Sequence, residues 1–277
     1  MIRLLKHSEI DFSKWDALVD INKGDGYWFS KSWYLNAQGE WWALVKNDYE
    51  AGLPLPITKK WKLIKMVYQP FFTRAYQLLG KARINEVLEF TKEIKVSGAL
   101  SIHGVGEELE NFDDKKLYQK LKIIDYKASK NTKRNLNKAI KAELVIKPIT
   151  IDEFVNNFEV ETAKHIRGYK SKHIKYLRTL LEASNRDGIL EIFGAFNSKN
   201  LLAGSVFLKT DSNALYLAAF VTEDGKKMGA SHYIVDDFIR NNANLIELDF
   251  GGSNVESVAR FYRGFGAKDY EYSVLSF

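Results

Sequence analysis

The 277-residue sequence contains no cysteine. That absence excludes a disulfide scaffold, a thiolate nucleophile and every cysteine-ligated metal or iron–sulfur site, and it is compatible with a reducing cytoplasm. No signal peptide is expected either. The opening Met1-Ile-Arg-Leu-Leu-Lys-His-Ser-Glu9 has neither an apolar core nor a small-residue cleavage site, and no later stretch approaches the roughly 18 apolar residues of a membrane span. The expected location is the cytoplasm. Histidines are few: His165 and His173 stand in a helical stretch broken at Gly168, with no carboxylate at ligand spacing, so no metal site is expected.

What remains is an ordinary globular composition, 45% hydrophobic and 27% charged, long enough for one large domain or two of usual size. A net charge of +6 and a pI near 9.1 suit an anionic partner such as a nucleotide, a coenzyme, RNA or an anionic membrane surface, although mildly basic proteins are common. The charge is concentrated in Lys127-Ala-Ser-Lys-Asn-Thr-Lys-Arg-Asn-Leu-Asn-Lys-Ala-Ile-Lys141, which has six basic residues and no acid. Leu136, Ala139 and Ile140 give it an apolar stripe at helical spacing, and Ser129 or Thr132 can cap it. The spacing predicts a docked helix with one cationic face. That face is either simply solvated, an interface for RNA or a phosphorylated sugar, or a contact with an anionic membrane; no aromatic stands between the lysines to read bases.

Along the chain, residues 2–5 read as a strand and 11–21 as a helix. The cluster Tyr27-Trp28-Phe29 and Trp33-Tyr34 falls on a helix started by Ser30 or Ser32. Residues 40–57 form a hairpin whose second arm carries Pro54 and Pro56, which predicts an edge or bulged strand because proline donates no ladder hydrogen bond. A strand over 63–68, a helix over 84–95 and a strand over 99–102 closed by His103-Gly-Val-Gly106 complete the first half. The second half repeats this order. It has a strand at 143–148, helices over 151–167 and 171–184, and a three-strand meander at 189–196, 201–209 and 214–221. A loop over 222–227, a helix over 228–242 and a strand at 246–249 follow. Ala51-Gly52 matches Ala203-Gly204, and the later strand-to-glycine junctions lie at comparable distances, so an internal duplication is the economical explanation.

Two stretches carry chemistry. Gly225-Lys-Lys-Met-Gly-Ala230 lies between a strand and a helix, where backbone amides and the positive end of the helix dipole favour an anion; the plainer reading is a solvated Asp-Gly turn before a helix. Ile246-Glu-Leu-Asp-Phe-Gly-Gly-Ser-Asn-Val-Glu-Ser-Val-Ala-Arg-Phe-Tyr-Arg-Gly-Phe-Gly266 reads as a strand entering a glycine turn, then a short helix with Arg260 and Arg263. Asp249 is the candidate to orient or deprotonate an amine, or else simply caps the Gly251 turn. His103 holds the equivalent strand end in the first half.

The order of elements resembles the GNAT acyltransferase fold. Two such halves joined by a basic helix resemble the Fem peptidoglycan aminoacyltransferases and their FemAB-like relatives. Arg134-Asn135 matches an Arg-Asn pair of that family, and Phe261-Tyr-Arg-Gly-Phe-Gly266 matches its Phe-Lys-x-Gly-Phe-Gly signature, with Tyr262 at the place of the lysine. The resemblance implies an α/β fold of two tandem GNAT-like lobes, residues 1–125 and 126–277, each a mixed, mostly antiparallel sheet flanked by helices. It implies N-acyl transfer, with acetyl-CoA or another acyl-CoA held by Lys226, Lys227, Gly229 and Ala230, although Ser231 departs from the acetyltransferase pattern. Asp249 would serve the amine and Tyr262 the leaving group. Tyr68, Gln69, Arg74, Arg134, Asn135, Tyr216, Ser253, Arg260 and Arg263 would line a cleft for a small-molecule or cell-envelope precursor. The alternatives are a Fem-like enzyme using aminoacyl-tRNA, and a non-catalytic binding protein on the same fold; peripheral contact with an anionic membrane is a further expected partner.

Overall fold

The computed structural model describes residues 1–60, 64–93, 96–104, 115–166, 168–253 and 255–276. Val105 and Gly106 of the first expected glycine junction lie outside the described residues. The chain divides into two compact units, Met1–Lys116 with Glu271–Phe277, and Leu117–Tyr270. Both mix helices with mostly antiparallel strands, the α/β architecture expected from the order of elements.

In the first unit the strands Ile2–Leu5, Trp41–Lys46, Ala51–Lys60 and Ile64–Val67 pair antiparallel in that order. The helix Phe12–Ile21 is capped by Asp11, whose carboxylate accepts from Ser13 N and Lys14 N, and it buries Trp15, Leu18 and Val19. The strand Ala51–Lys60 lies inside the sheet rather than at its edge, a departure from the reading of its two prolines. Its second side pairs with Leu79–Gly80 only at Ala51 and Gly52, and with Ile64–Val67 only from Ile57 onward. Pro54 and Pro56 therefore sit in a gap between two short neighbours, where no N–H is asked of them. The aromatic cluster forms two short helices, Tyr27–Ser30 and Ser32–Asn36, broken at the extended Lys31. Trp28, Phe29 and Tyr34 are buried in the core.

In the second unit the strand order is Lys115–Lys122 (from residue 117), Glu247–Asp249, Asn213–Val221, Asn200–Lys209, Leu190–Asn197, Val145–Pro148. All neighbours are antiparallel except Asn213–Val221 with Glu247–Asp249. The cationic stretch forms the helix Lys130–Lys141, capped by Ser129 and burying Thr132, Leu136 and Ala139. Ile140, expected on that apolar stripe, is 61% exposed. The helix Ala230–Asn241 buries Ile234, Val235, Phe238 and Ile239, with the Phe238 ring stacked 3.7 Å from that of Phe207. The expected helix over 151–167 ends at Glu161, where the chain turns through Ala163–His165; Arg167 lies outside the described residues. The expected loop over 222–227 is a helix, Glu223–Met228, because Thr222 caps it by accepting from Gly225 N at 3.0 Å.

Candidate functional site

The site is built where a parallel strand pair stops. Asn213, Ala214 and Leu215 pair with Glu247, Leu248 and Asp249, and there Glu247–Asp249 ends. The neighbouring strand continues to Val221, paired on its other side with Asn200–Lys209, and a register shift leaves Leu217 without a counterpart in that ladder. A bulge of this kind increases local twist and turns a strand away from its neighbour. Beyond Asp249 the chain leaves the sheet through Gly251 and Gly252, whose φ angles of 72° and 85° are left-handed and suit glycine. Ligands of α/β folds bind at the carboxyl ends of parallel strands, the position that Asp249 holds.

Tyr216 and Tyr262 pack together near this strand end, within the field of Asp249. Asp249 is 7% exposed and its Oδ1 accepts from Gly251 N at 2.8 Å, so it does cap the glycine turn. Tyr262 stacks on Phe250, with centroids 4.7 Å apart at 21°, and meets Tyr216 edge-on at 6.1 Å. The Tyr216 hydroxyl lies 3.4 Å from Ser205 Oγ. Both tyrosines belong to the core of this unit. Burial pushes the Tyr216 phenol up to about 12, with the Ser205 hydrogen bond opposing. Burial, then the fields of Tyr216 and Asp249, raise Tyr262 further. At neutral pH the group is therefore two protonated phenols beside a carboxyl side chain. It can orient an amine and donate hydrogen bonds to a developing oxyanion or leaving group.

A second feature is a cavity of about 620 Å³ walled by the cationic helix, the helix Ala230–Asn241 and the helix Glu256–Arg263. Arg134, Arg260, Ser129, Ser257 and His232 line it. Asn135, the other half of the Arg-Asn pair, sits behind it with Nδ2 3.4 Å from His232 Nε2. Burial, and less so Lys138, hold the His232 imidazole down at about 4, so it is neutral near pH 7.

The remaining expected residues are tied into the structure. Arg263 bonds to both Glu256 and Asp269. Ser253 N donates to Gln119 Oε1, and its hydroxyl accepts from Val255 N. In the first unit, the Tyr68 hydroxyl donates to Gln38 O, and Gln69 bonds to Thr73 O and accepts from Ser101 N. Arg74 donates to Asp25 O and to His103 Nε2. Ser205, His232 and Ser257 were not singled out from the sequence. No spacing marks them, because each is brought in by a different element.

Part of the glycine stretch expected to cradle an acyl-CoA is taken up in a helix. Gly225 N, Lys226 N and Gly229 N are bonded within the helix Glu223–Met228 and its caps. Lys226 and Lys227 pair with Glu223 and Asp224, and Gly229 is pressed against the backbone of Asn135, with Ala230 fully buried. Among the described residues no helix is long and apolar enough to cross a membrane, and no cluster of three or more His, Asp or Glu is placed to hold a metal.

No family model and no curated protein sequence matches the chain. Solved structures do. FemX shares 13% identity at a TM-score of 0.66, with 95% of this chain and 96% of that one covered. The C-terminal domain (DUF2156) of a putative lysylphosphatidylglycerol synthetase from Agrobacterium fabrum shares 8% at 0.60, covering 96% and 91%. A tandem GNAT protein from the clavulanic acid biosynthesis pathway shares 12% at 0.52, covering 100% and 98%. At such identities the likeness concerns architecture alone: this chain has the same fold as FemX and the tandem GNAT protein.

Proposed function

We propose that the chain is an N-acyltransferase, moving an acyl group from a phosphate-bearing carrier to an amine of a sugar, lipid or peptide precursor. The observation that carries this reading is the grouping of Tyr216 and Tyr262, within the field of Asp249, at the carboxyl end of a parallel strand pair. Acyl transfer to an amine needs a neutral amine, a polarised carbonyl and a proton for the leaving group. Asp249 orients the amine and takes its proton as the C–N bond forms. Tyr216 donates to the carbonyl oxygen. Tyr262, which burial keeps protonated, gives its proton to the departing oxygen or sulfur as that bond breaks. Without a cysteine in the sequence, a thioester on the enzyme is excluded and direct attack in a ternary complex is the simpler course.

Of the two donors, an aminoacyl ester on RNA is favoured over acyl-CoA. In the helix Glu223–Met228 the amides of Gly225 and Lys226 are already bonded and the two lysines already paired, whereas the helix Lys130–Lys141 presents an acid-free cationic face suited to a polyphosphate backbone. The test offers the protein a charged minihelix RNA and acetyl-CoA separately, with a panel of amines, and reads products by mass spectrometry. Transfer from the minihelix, slowed by Asp249→Asn and Tyr262→Phe, is expected. Failure to bind or consume either donor at submillimolar concentration overturns the enzymatic reading.

A further inference from the structure

We propose that the cavity between the helices Lys130–Lys141, Ala230–Asn241 and Glu256–Arg263 is a phosphate-ester site, in which Arg134 and Arg260 grip the same phosphoryl group from two different helices. The inference deepens the function proposed above and rests on it only for the identity of the carrier.

The first argument is charge. Two guanidinium groups line the cavity and no carboxylate does. Arg134 donates to the neutral Asn131 Oδ1 at 2.7 Å, and Arg260 is in no ion pair among the described residues. The contrast with Arg263 is informative. Three residues further along the same helix, that arginine is held by both Glu256 and Asp269. The acids of this region thus neutralise the arginine outside the cavity and leave the two inside it. Around them the stretch 127–141 adds five lysines and no acid, which raises the local positive potential.

The second argument is rigidity. Ser129 N donates to Gly264 O at 2.8 Å, Thr132 Oγ1 donates to the same oxygen at 2.8 Å, and Lys127 N donates to Phe265 O. These bonds lock the start of the cationic helix to the end of the helix bearing Arg260. The two arginines are therefore held on a fixed frame, which lowers the ordering cost of binding. A Cβ at Gly264 would meet Thr132 Oγ1 at 2.7 Å, so the contact is close enough to require a small residue there.

The third argument is shape and chemistry. A carboxylate is satisfied by one guanidinium fork, whereas a phosphoryl group offers enough oxygens for two forks and the hydroxyl of Ser257. His232 and Phe261 form an edge-on ring pair, 4.7 Å between centroids, beside these polar groups. That pair supplies an uncharged wall for the organic part of an ester. A volume of about 620 Å³ accepts a nucleotide-sized group.

The test is titration of the full chain with inorganic pyrophosphate, ADP and a minihelix RNA. It is followed by calorimetry and by the ring resonances of His232, which report the cavity wall directly. Pyrophosphate is expected to bind and shift those resonances, and Arg134→Gln and Arg260→Gln are each expected to weaken binding about tenfold or more, the value of a charge-assisted hydrogen bond. Arg263→Gln is expected to leave it within about twofold. No pyrophosphate binding below about 10 mM, or equal binding by all three variants, overturns the site. The source of the phosphate is read from a further pair of variants, Lys130→Gln and Lys138→Gln: RNA binding that falls with them while ADP binding does not identifies a nucleic-acid backbone, and equal behaviour identifies a free nucleotide. Pyrophosphate binding that depends on both arginines, without acyl transfer from any donor, keeps this site and removes the function proposed above.

Discussion

Gly229 lies against the backbone of Asn135, so closely that a Cβ built on it would stand 2.3 Å from the Asn135 carbonyl oxygen. Gly229 also has φ +76°, a left-handed conformation in which a side chain is strained. The glycine thus serves to bring the helix Ala230–Asn241 onto the cationic helix. Gly229→Ala should destabilise the protein by about 3 kcal/mol, the sum of a left-handed penalty and an overpacked contact. Urea unfolding measures it, as a lower midpoint with an unchanged slope. A cost below about 1 kcal/mol would mean that the two helices separate readily.

The tyrosine pair at the strand end yields a prediction that separates packing from chemistry. Tyr216 and Tyr262 are 5% and 8% exposed, so removing a ring would damage the core whatever its role. Tyr262→Phe keeps the stack on Phe250 and removes only the hydroxyl. Acyl transfer should fall about 10²- to 10⁴-fold, in kcat rather than KM, while the melting temperature stays within a few degrees. Tyr216→Phe should cost less, because its hydroxyl also lies near Ser205. An unchanged kcat in both variants would leave the pair a purely structural element.

Much of this arrangement is legible in the sequence, because hydrophobic period and glycine placement act locally. The meander over 189–221 and the strand-to-glycine junction at Asp249 emerge as read, and Asp249 does cap its turn. The stretch Glu223–Met228 reads as a loop because Asp224-Gly225 signals a turn, yet Thr222 supplies the cap that makes it helical. The strand Lys115–Lys122 is hidden because four of its eight residues are lysines and because its buried Tyr118, Gln119 and Leu121 follow no strict alternation, 118 and 119 both being covered. Arg260 and Arg263 look equivalent on paper. What divides them is the placement of Asp269 and the turn of Glu256 toward Arg263, although helical spacing would pair Glu256 with Arg260.

That division is itself measurable. Arg263 bridges Glu256 and Asp269 across its helix and the strand Lys268–Ser276, with about a third of its side chain exposed. Arg263→Ala should lower stability by less than about 1 kcal/mol, as exposed ion pairs generally do, and the loss should shrink in 1 M salt. Acyl transfer should be unaffected by the same change, whereas Arg260→Ala should leave stability alone and impair donor binding. The reverse pattern would reassign the two arginines.

His232 gives the pH dependence its sign. Burial, helped by Lys138, lowers its imidazole from 6.5 to about 4 in the folded chain. The unfolded chain therefore binds the proton first, and stability rises with pH wherever that is so. Above about pH 6.5 the contribution of the buried neutral ring is fully present; it is lost progressively as pH falls toward 4, by on the order of 2–3 kcal/mol. Carboxylates titrate in the same direction at the lower end, so the comparison must be a difference of differences. Urea unfolding of the protein and of His232→Gln at pH 7 and pH 4.5 supplies it. The parent should lose more stability between the two pH values than the variant does. An equal loss in both would mean that the ring reaches solvent freely, which would take His232 out of the cavity wall and leave Arg134 and Arg260 facing open water.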